Sequence, residues 1–220
     1  VAQRVYKVEL TIKEAQYAAE RGSARRIESI WSRRANQWGF PNPIGWGRDI
    51  EAAAAEAAFC KFRGVPFTGV INNFKGPDVG TRGQVRHTDR DGKDDRPPGR
   101  LIIKPNDNPD HYYVLVWGHV PNFEIVGWIK GRDGQQRQYW SKGDDRGYTY
   151  MVPQAALHDM AELTDSMLGL GECVAKVTET VTPATPAEIR EIRKRRERPD
   201  LPPLLKFNKE DYNWDDGDPA

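Results

Sequence analysis

The side chains best suited to chemistry in this 220-residue chain are Asp78, Gln84 and Arg86, with an earlier carboxylate at Glu56. Asp78 lies among Gly76, Pro77 and Gly80, a composition that places it at a turn. Gln84 and Arg86 are two residues apart, so on a strand they share a face. Oxygen donors and a cation arranged in this way can gather a hard divalent ion beside a phosphate. Each piece also has a plain structural reading. Gly-Pro-Asp-Val-Gly is a common turn, Gln and Arg occur on strands, and Glu56 suits any helix.

Positioning these groups falls to a helix before Asp78 and strands after it. Residues 4–10 alternate as a short strand, and Thr11 with Glu14 forms a capping box opening a helix over 12–37, with a break expected near Gly22. Arg21, Arg25, Arg26, Arg33 and Arg34 give that helix a basic surface able to meet nucleic acid, while Ile27, Ile30 and Trp31 can pack inward. Residues 39–47 read as a loop. Trp38, Phe40 and Trp46 around it suit core packing better than base stacking. Asp49 is expected to cap a slim, alanine-rich helix that carries Glu56 and stops at Gly64. Strands follow over 70–74, 84–88, 100–104, 112–117 and 123–129, each rich in β-branched or aromatic residues. Residues 89–99 and 132–150 read as loops or short turns, and 153–160 as a helix with Pro153 in its first turn. The stretch 176–183 reads as an edge strand or linker, and a capping box at Thr185 and Glu188 opens a charged helix to Arg198 before an acidic tail.

Composition narrows the function classes. With 38% hydrophobic and 30% charged residues and a net charge of +1, the chain is not a uniformly basic nucleic-acid binder. Its charge is uneven. Residues 1–48 carry nine Lys/Arg against four acids and 186–198 six against three, while the tail 199–220 carries two against six. The centre is therefore mildly acidic between basic extensions, which fits a metal site with phosphate-contacting arms and fits ordinary solvated faces equally. The two cysteines, Cys60 and Cys173, support neither a disulfide framework nor a cysteine-rich zinc site. His111 and His119, eight residues apart, make a poor zinc pair. Neither a nucleophile elbow nor a glycine-rich nucleotide loop is present. No apolar run reaches the ~20 residues of a membrane span, and a cytoplasmic location is expected. The chain does not begin with Met, which leaves its true start open.

The order of helix with Glu56, turn with Pro77-Asp78, and strand with Gln84-Val85-Arg86 resembles the PD-(D/E)XK nuclease superfamily over residues 49–165. Segments 51–59, 77–86 and 113–128 together look like a group of uncharacterised, largely phage-associated members. The resemblance implies an α/β fold: a PD-(D/E)XK-like α-β-β-β-α-β core with a mixed central sheet, preceded by an N-terminal strand and basic helix over 1–48. A linker or edge strand over 166–185 and a charged helix plus tail over 186–220 would follow. It also implies a Mg²⁺- or Mn²⁺-dependent DNA endonuclease or resolvase-like enzyme in which Asp78 is the principal metal ligand. Gln84 would add an amide oxygen and Val85 its carbonyl, while Glu56 would hold a metal-bound water or a second ion. Arg86 would contact the scissile phosphate. If the chain is phage-encoded, its place is the host cell cytoplasm.

This sequence departs from the family at two positions. Gln84 stands where the family carries an acid, which removes a negative charge from the metal site. Arg86 replaces Lys and keeps the positive charge but cannot act as a base near neutral pH. His87, next to it, points to the opposite strand face. Two functions stay open: the nuclease, acting on branched or duplex DNA, alone or as a homodimer, and a catalytically degenerate protein of nuclease fold that binds nucleic acid or a protein partner without cleavage. A third reading makes 186–220 an arm that docks a protein partner.

Overall fold

The computed structural model describes residues 4–32, 42–71, 76–89, 98–143 and 147–171. Arg33, Arg34, Trp38, Phe40, Cys173, most of the loop at 89–99, the expected strand at 176–183 and the charged helix with its tail lie outside these residues. The described residues fall within Val1–Thr178, the first of two units into which the chain divides.

The chain begins with β1 (Tyr6–Glu9) and two long helices, α1 (Ile12–Trp31) and α2 (Asn42–Arg63). It continues through β2 (Gly83–Thr88), β3 (Leu101–Ile103), β4 (Tyr112–His119) and β5 (Asn122–Lys130). The single-turn α3 (Gly131–Gly134), β6 (Trp140–Gly143), β7 (Gly147–Val152) and the single-turn α4 (Asp165–Leu168) complete it. The fold is α/β with a mixed four-stranded sheet in the order β1-β5-β4-β2. Within it β2 runs parallel to β4, and the other pairs are antiparallel. A second, antiparallel sheet of three strands has the order β3-β7-β6. Among the described residues, no helix is long and apolar enough to cross a membrane.

The two faces of the mixed sheet feed two cores. Val85, Val114, Val116, Phe123 and Ile125 pack toward α2, where Ala54, Ala55, Ala58 and Phe59 are fully buried. The alanines let the helix lie close to the strands, as its composition requires. Tyr113, Leu115, Val126 and Ile129 face the other way and pack with Leu101, Ile103 and Val152 of the second sheet. Strand alternation thus sends residue 85 to one core and its neighbours 84 and 86 to the opposite side.

Several expectations change here. The capping box forms, with Thr11 and Glu14 bonding reciprocally, and Glu14 also takes Lys61 at 2.7 Å. No break occurs at Gly22. A Cβ there would lie 2.5 Å from the Ile50 Cα and 2.6 Å from the Asp49 carbonyl, so glycine is the contact that lets α1 and α2 touch backbones. Gly22→Ala is therefore expected to cost about 1–3 kcal/mol by forcing the helices apart, read as a lower midpoint in denaturant unfolding.

Asp49 does not cap α2, which starts at Asn42 and absorbs most of the expected 39–47 loop. Residues 70 and 71 belong to no strand, and 72–75 lie outside the described residues. The expected helix at 153–160 is replaced by 3-10 turns at Gln154–Ala156 and Met160–Glu162. Residues 132–150, expected as loop, contain α3 and most of the β6–β7 hairpin, where Trp140 stacks on Tyr148.

Candidate functional site

The site is built around the free edge of β2, the last strand of the mixed sheet. The turn leading into it closes through Asp78 N to Gly83 O at 2.8 Å and a mutual pairing of Val79 and Gly83. Gly80, at φ +61°, lies so close to the C-terminal segment that a Cβ would sit 2.2 Å from the Leu168 carbonyl oxygen. That oxygen accepts from Thr81 N at 3.0 Å and Arg82 N at 3.2 Å, which fixes the turn from outside.

Anchored so, Asp78 folds back on the strand it introduces. Its Oδ2 accepts from Val85 N at 2.8 Å, on the edge of β2 that has no strand neighbour among the described residues. This bond protects an otherwise open strand edge. Burial, reinforced by the charge of Glu56, pushes the Asp78 carboxyl up to about 7, against the pull of the Val85 N–H, Arg86 and Arg25. The same two carboxylates reinforce the effect of burial on Cys60, whose thiol is raised to about 12. Glu56 and Asp78 are thus close enough for the charge of one to act on the other.

Glu56 is buried and fully engaged. Arg25 reaches across from α1 and donates Nη1 to Oε1 at 2.6 Å and Nη2 to Oε2 at 2.7 Å, while its Nε donates to the Val70 carbonyl at 3.2 Å. Arg26 is 7% exposed and lies 3.8 Å from Asp49. Arg25 and Arg26 thus belong to the α1–α2 interface and not to the basic surface expected of that helix. Its other two candidate contacts, Arg33 and Arg34, lie outside the described residues.

Gln84 and Arg86 share a face, as their spacing requires, but it is the face away from α2. Arg86 donates Nη1 to the Gln84 Oε1 at 3.2 Å and Nη2 to Asp107 at 2.8 Å, and its guanidinium lies 5.1 Å from the Tyr113 ring centre. It also donates to the carbonyls of Ile102 and Val85. Gln84 uses its Nε2 on the Gly76 carbonyl at 2.7 Å, so the amide ties the chain before Asp78 to the strand after it. Of the four expected residues, Gln84 and Arg86 bond each other, Glu56 is held by Arg25, and Asp78 by the Val85 N–H. Asp78, at the strand edge, feels the charges of Glu56 and Arg86.

Sequence reasoning missed Asp107, Lys104 and Tyr113. Asp107 closes a turn by accepting from Lys104 N at 2.9 Å while it holds Arg86. Lys104 is lowered by burial, with Arg86 adding to the effect and Asp107 opposing it. The Lys-Pro-Asn-Asp string at 104–107 has the composition of a turn, and nothing local ties it to Arg86. His87, on the α2 side, bonds the Gly118 carbonyl and is lowered by burial, as befits a neutral packed histidine.

Among the described residues, no three His, Cys, Asp or Glu side chains gather into a metal-ligand group. The fit to Mg²⁺ or Mn²⁺ is therefore a matter of individual donors. Asp78 fits, as a hard oxygen donor whose bond is to the Val85 backbone N–H. Glu56 has both oxygens on Arg25, and Gln84 has its oxygen on Arg86. No protein-family model, curated protein or solved structure matches the chain.

Proposed function

We propose that residues 49–165 form a variant PD-(D/E)XK core and that the protein is a divalent-metal-dependent phosphodiester hydrolase acting on DNA. One observation carries this reading: Asp78, folded onto the edge of β2 with its Oδ2 on the Val85 N–H, has its carboxyl raised to about 7 by burial and by the charge of Glu56. Strongly perturbed carboxyls of this kind concentrate at functional sites. Asp78 would hold the ion, and the Val85 carbonyl and the Gln84 amide oxygen would join it once Arg86 gives up its bonds to them. Bound there, Mg²⁺ or Mn²⁺ supplies an activated water and charge stabilisation at phosphorus.

The protein's own groups divide the remaining work. Glu56 acts on Asp78 through its charge, and Val85 N–H orients the Asp78 carboxylate through Oδ2. Arg86, steadied by Asp107 and by Tyr113 below it, offers a guanidinium for phosphate once one of its present bonds is exchanged. Cleavage of linear, nicked, branched and single-stranded DNA with either metal tests this directly. Metal-dependent cleavage is expected on at least one substrate, and none on any would end the proposal.

A second reading follows from the hydrogen bonds themselves. The Arg25–Glu56 fork and the Gln84–Arg86 bond satisfy by internal pairing two of the groups that metal would otherwise use. A protein of nuclease fold without catalysis is expected to bind DNA with steep salt dependence and no metal dependence. Tight Mn²⁺ binding in calorimetry would count against it.

A further inference from the structure

We infer that Arg25 is the resident cation of the Glu56 carboxylate and competes with a divalent ion for it, so that Glu56 joins a metal site only when Arg25 releases it. The inference rests on the metal site proposed above and concerns how that site is regulated from α1.

The geometry is that of a built contact. The Glu56 side chain is 9% exposed and that of Arg25 21%, and the guanidinium meets both carboxylate oxygens at 2.6 and 2.7 Å. A two-point fork of this kind is among the stronger protein ion pairs and leaves no oxygen of Glu56 in reserve. Arg25 is also clamped, its Nε donating to the Val70 carbonyl at 3.2 Å. One turn before it, Gly22 brings the α1 backbone against Asp49 and Ile50 of α2, which places Arg25 within reach of Glu56. The segment carrying Val70 is tied to α1 again by Tyr17 Oη, which donates to the Thr68 carbonyl at 3.5 Å.

Charge makes this a competition. A guanidinium and a divalent ion stabilise the same carboxylate, and the charge of Arg25 acts on Asp78 and Asp49 as well as on Glu56. An ion that recruits Glu56 must displace the Arg25 fork, and an ion held by Asp78 alone need not. Arg25 is on this account a positioning residue. It sets how many oxygens the site offers, and with them its affinity and its choice between one ion and two.

Mn²⁺ binding to the full chain, followed by calorimetry and by the spin-resonance signal of free Mn²⁺, tests this without reference to cleavage. Arg25→Gln is expected to bind Mn²⁺ at least about tenfold more tightly than the unaltered chain, or to take a second ion, because Glu56 is released to the metal. The gain is expected to vanish in the Arg25→Gln/Glu56→Gln double variant. Arg25→Lys keeps the charge but loses the fork, and a gain of a few-fold is expected. It also serves if Arg25→Gln fails to fold by circular dichroism.

Folded Arg25 variants that bind Mn²⁺ no more tightly than the unaltered chain, while that chain does bind, would overturn the competition and leave the metal site standing. Absence of Mn²⁺ binding in every protein would overturn both. A gain that persists in the double variant would show that Glu56 is not the group released, and would also overturn the inference.

Discussion

Asp78→Asn is expected to abolish metal-dependent cleavage while making the folded protein more stable above neutral pH. The two effects share one cause. In the folded chain the Asp78 carboxyl is raised from 3.8 to about 7, chiefly by burial and secondly by Glu56. Between those values the folded state keeps a proton that the unfolded state has released. Stability therefore falls as pH rises through that window, and the loss is complete above about 7. A shift of this size corresponds to about 4 kcal/mol at its full extent.

Asparagine removes the ionisation but keeps an oxygen for the Val85 N–H, so the variant's stability is expected to hold flat across the same window. Thermal melts from pH 4 to 9 check this. A carboxylate that is ionised and stabilising in the folded chain would behave in the opposite way, losing stability when neutralised. Cleavage by Asp78→Asn is expected to fall by at least about a thousandfold, equivalent to about 4 kcal/mol of transition-state stabilisation. A residue that costs stability and supports activity is the expected profile of a functional site.

The second large effect concerns Glu56. Glu56→Met leaves the half-buried Arg25 guanidinium without its fork, and breaking such a pair from one side costs about 3–5 kcal/mol. Arg25→Met alone strands the Glu56 carboxylate beside Asp78 and is expected to cost as much. Replacing both with methionine removes charge and partner together and is expected to cost far less than the sum. A coupling of about 3 kcal/mol in a double-mutant cycle by urea unfolding is the expected result. The Glu56 change is also expected to bring the Asp78 carboxyl down toward its ordinary range, since Glu56 is its second-largest cause of elevation. Carboxyl titration followed by NMR reads that shift.

Much of the frame was legible in local sequence. The Thr11–Glu14 box opens α1, the alanines of α2 lie on a sheet, and β2, β4 and β5 fall where β-branched and aromatic runs place them. The i,i+2 spacing of Gln84 and Arg86 gives their shared face directly. The same alternation should have separated them from a helix that packs on Val85. That step required knowing which face of β2 meets α2, and this is set by long-range packing that no local pattern encodes.

Arg25 was legible only as one charge among many on a helix. Its burial follows from Gly22, read from sequence as a break when its actual role is a close approach between helices. Asp107 lies 21 residues from Arg86 and reaches it through a turn after a three-residue strand. The β6–β7 hairpin was missed because its glycines and charges read as loop, while Trp140, Tyr148 and Tyr150 support one another only across strands.

The most direct measurement of the central claim is a metal-dependent cleavage assay of the unaltered chain beside Asp78→Asn, on branched and duplex DNA with Mg²⁺, Mn²⁺ or chelator. Cleavage that requires metal and disappears in a folded, more stable Asp78→Asn is the result expected of a phosphodiester hydrolase centred on Asp78. Cleavage that survives in Asp78→Asn, or that persists in chelator, would contradict it.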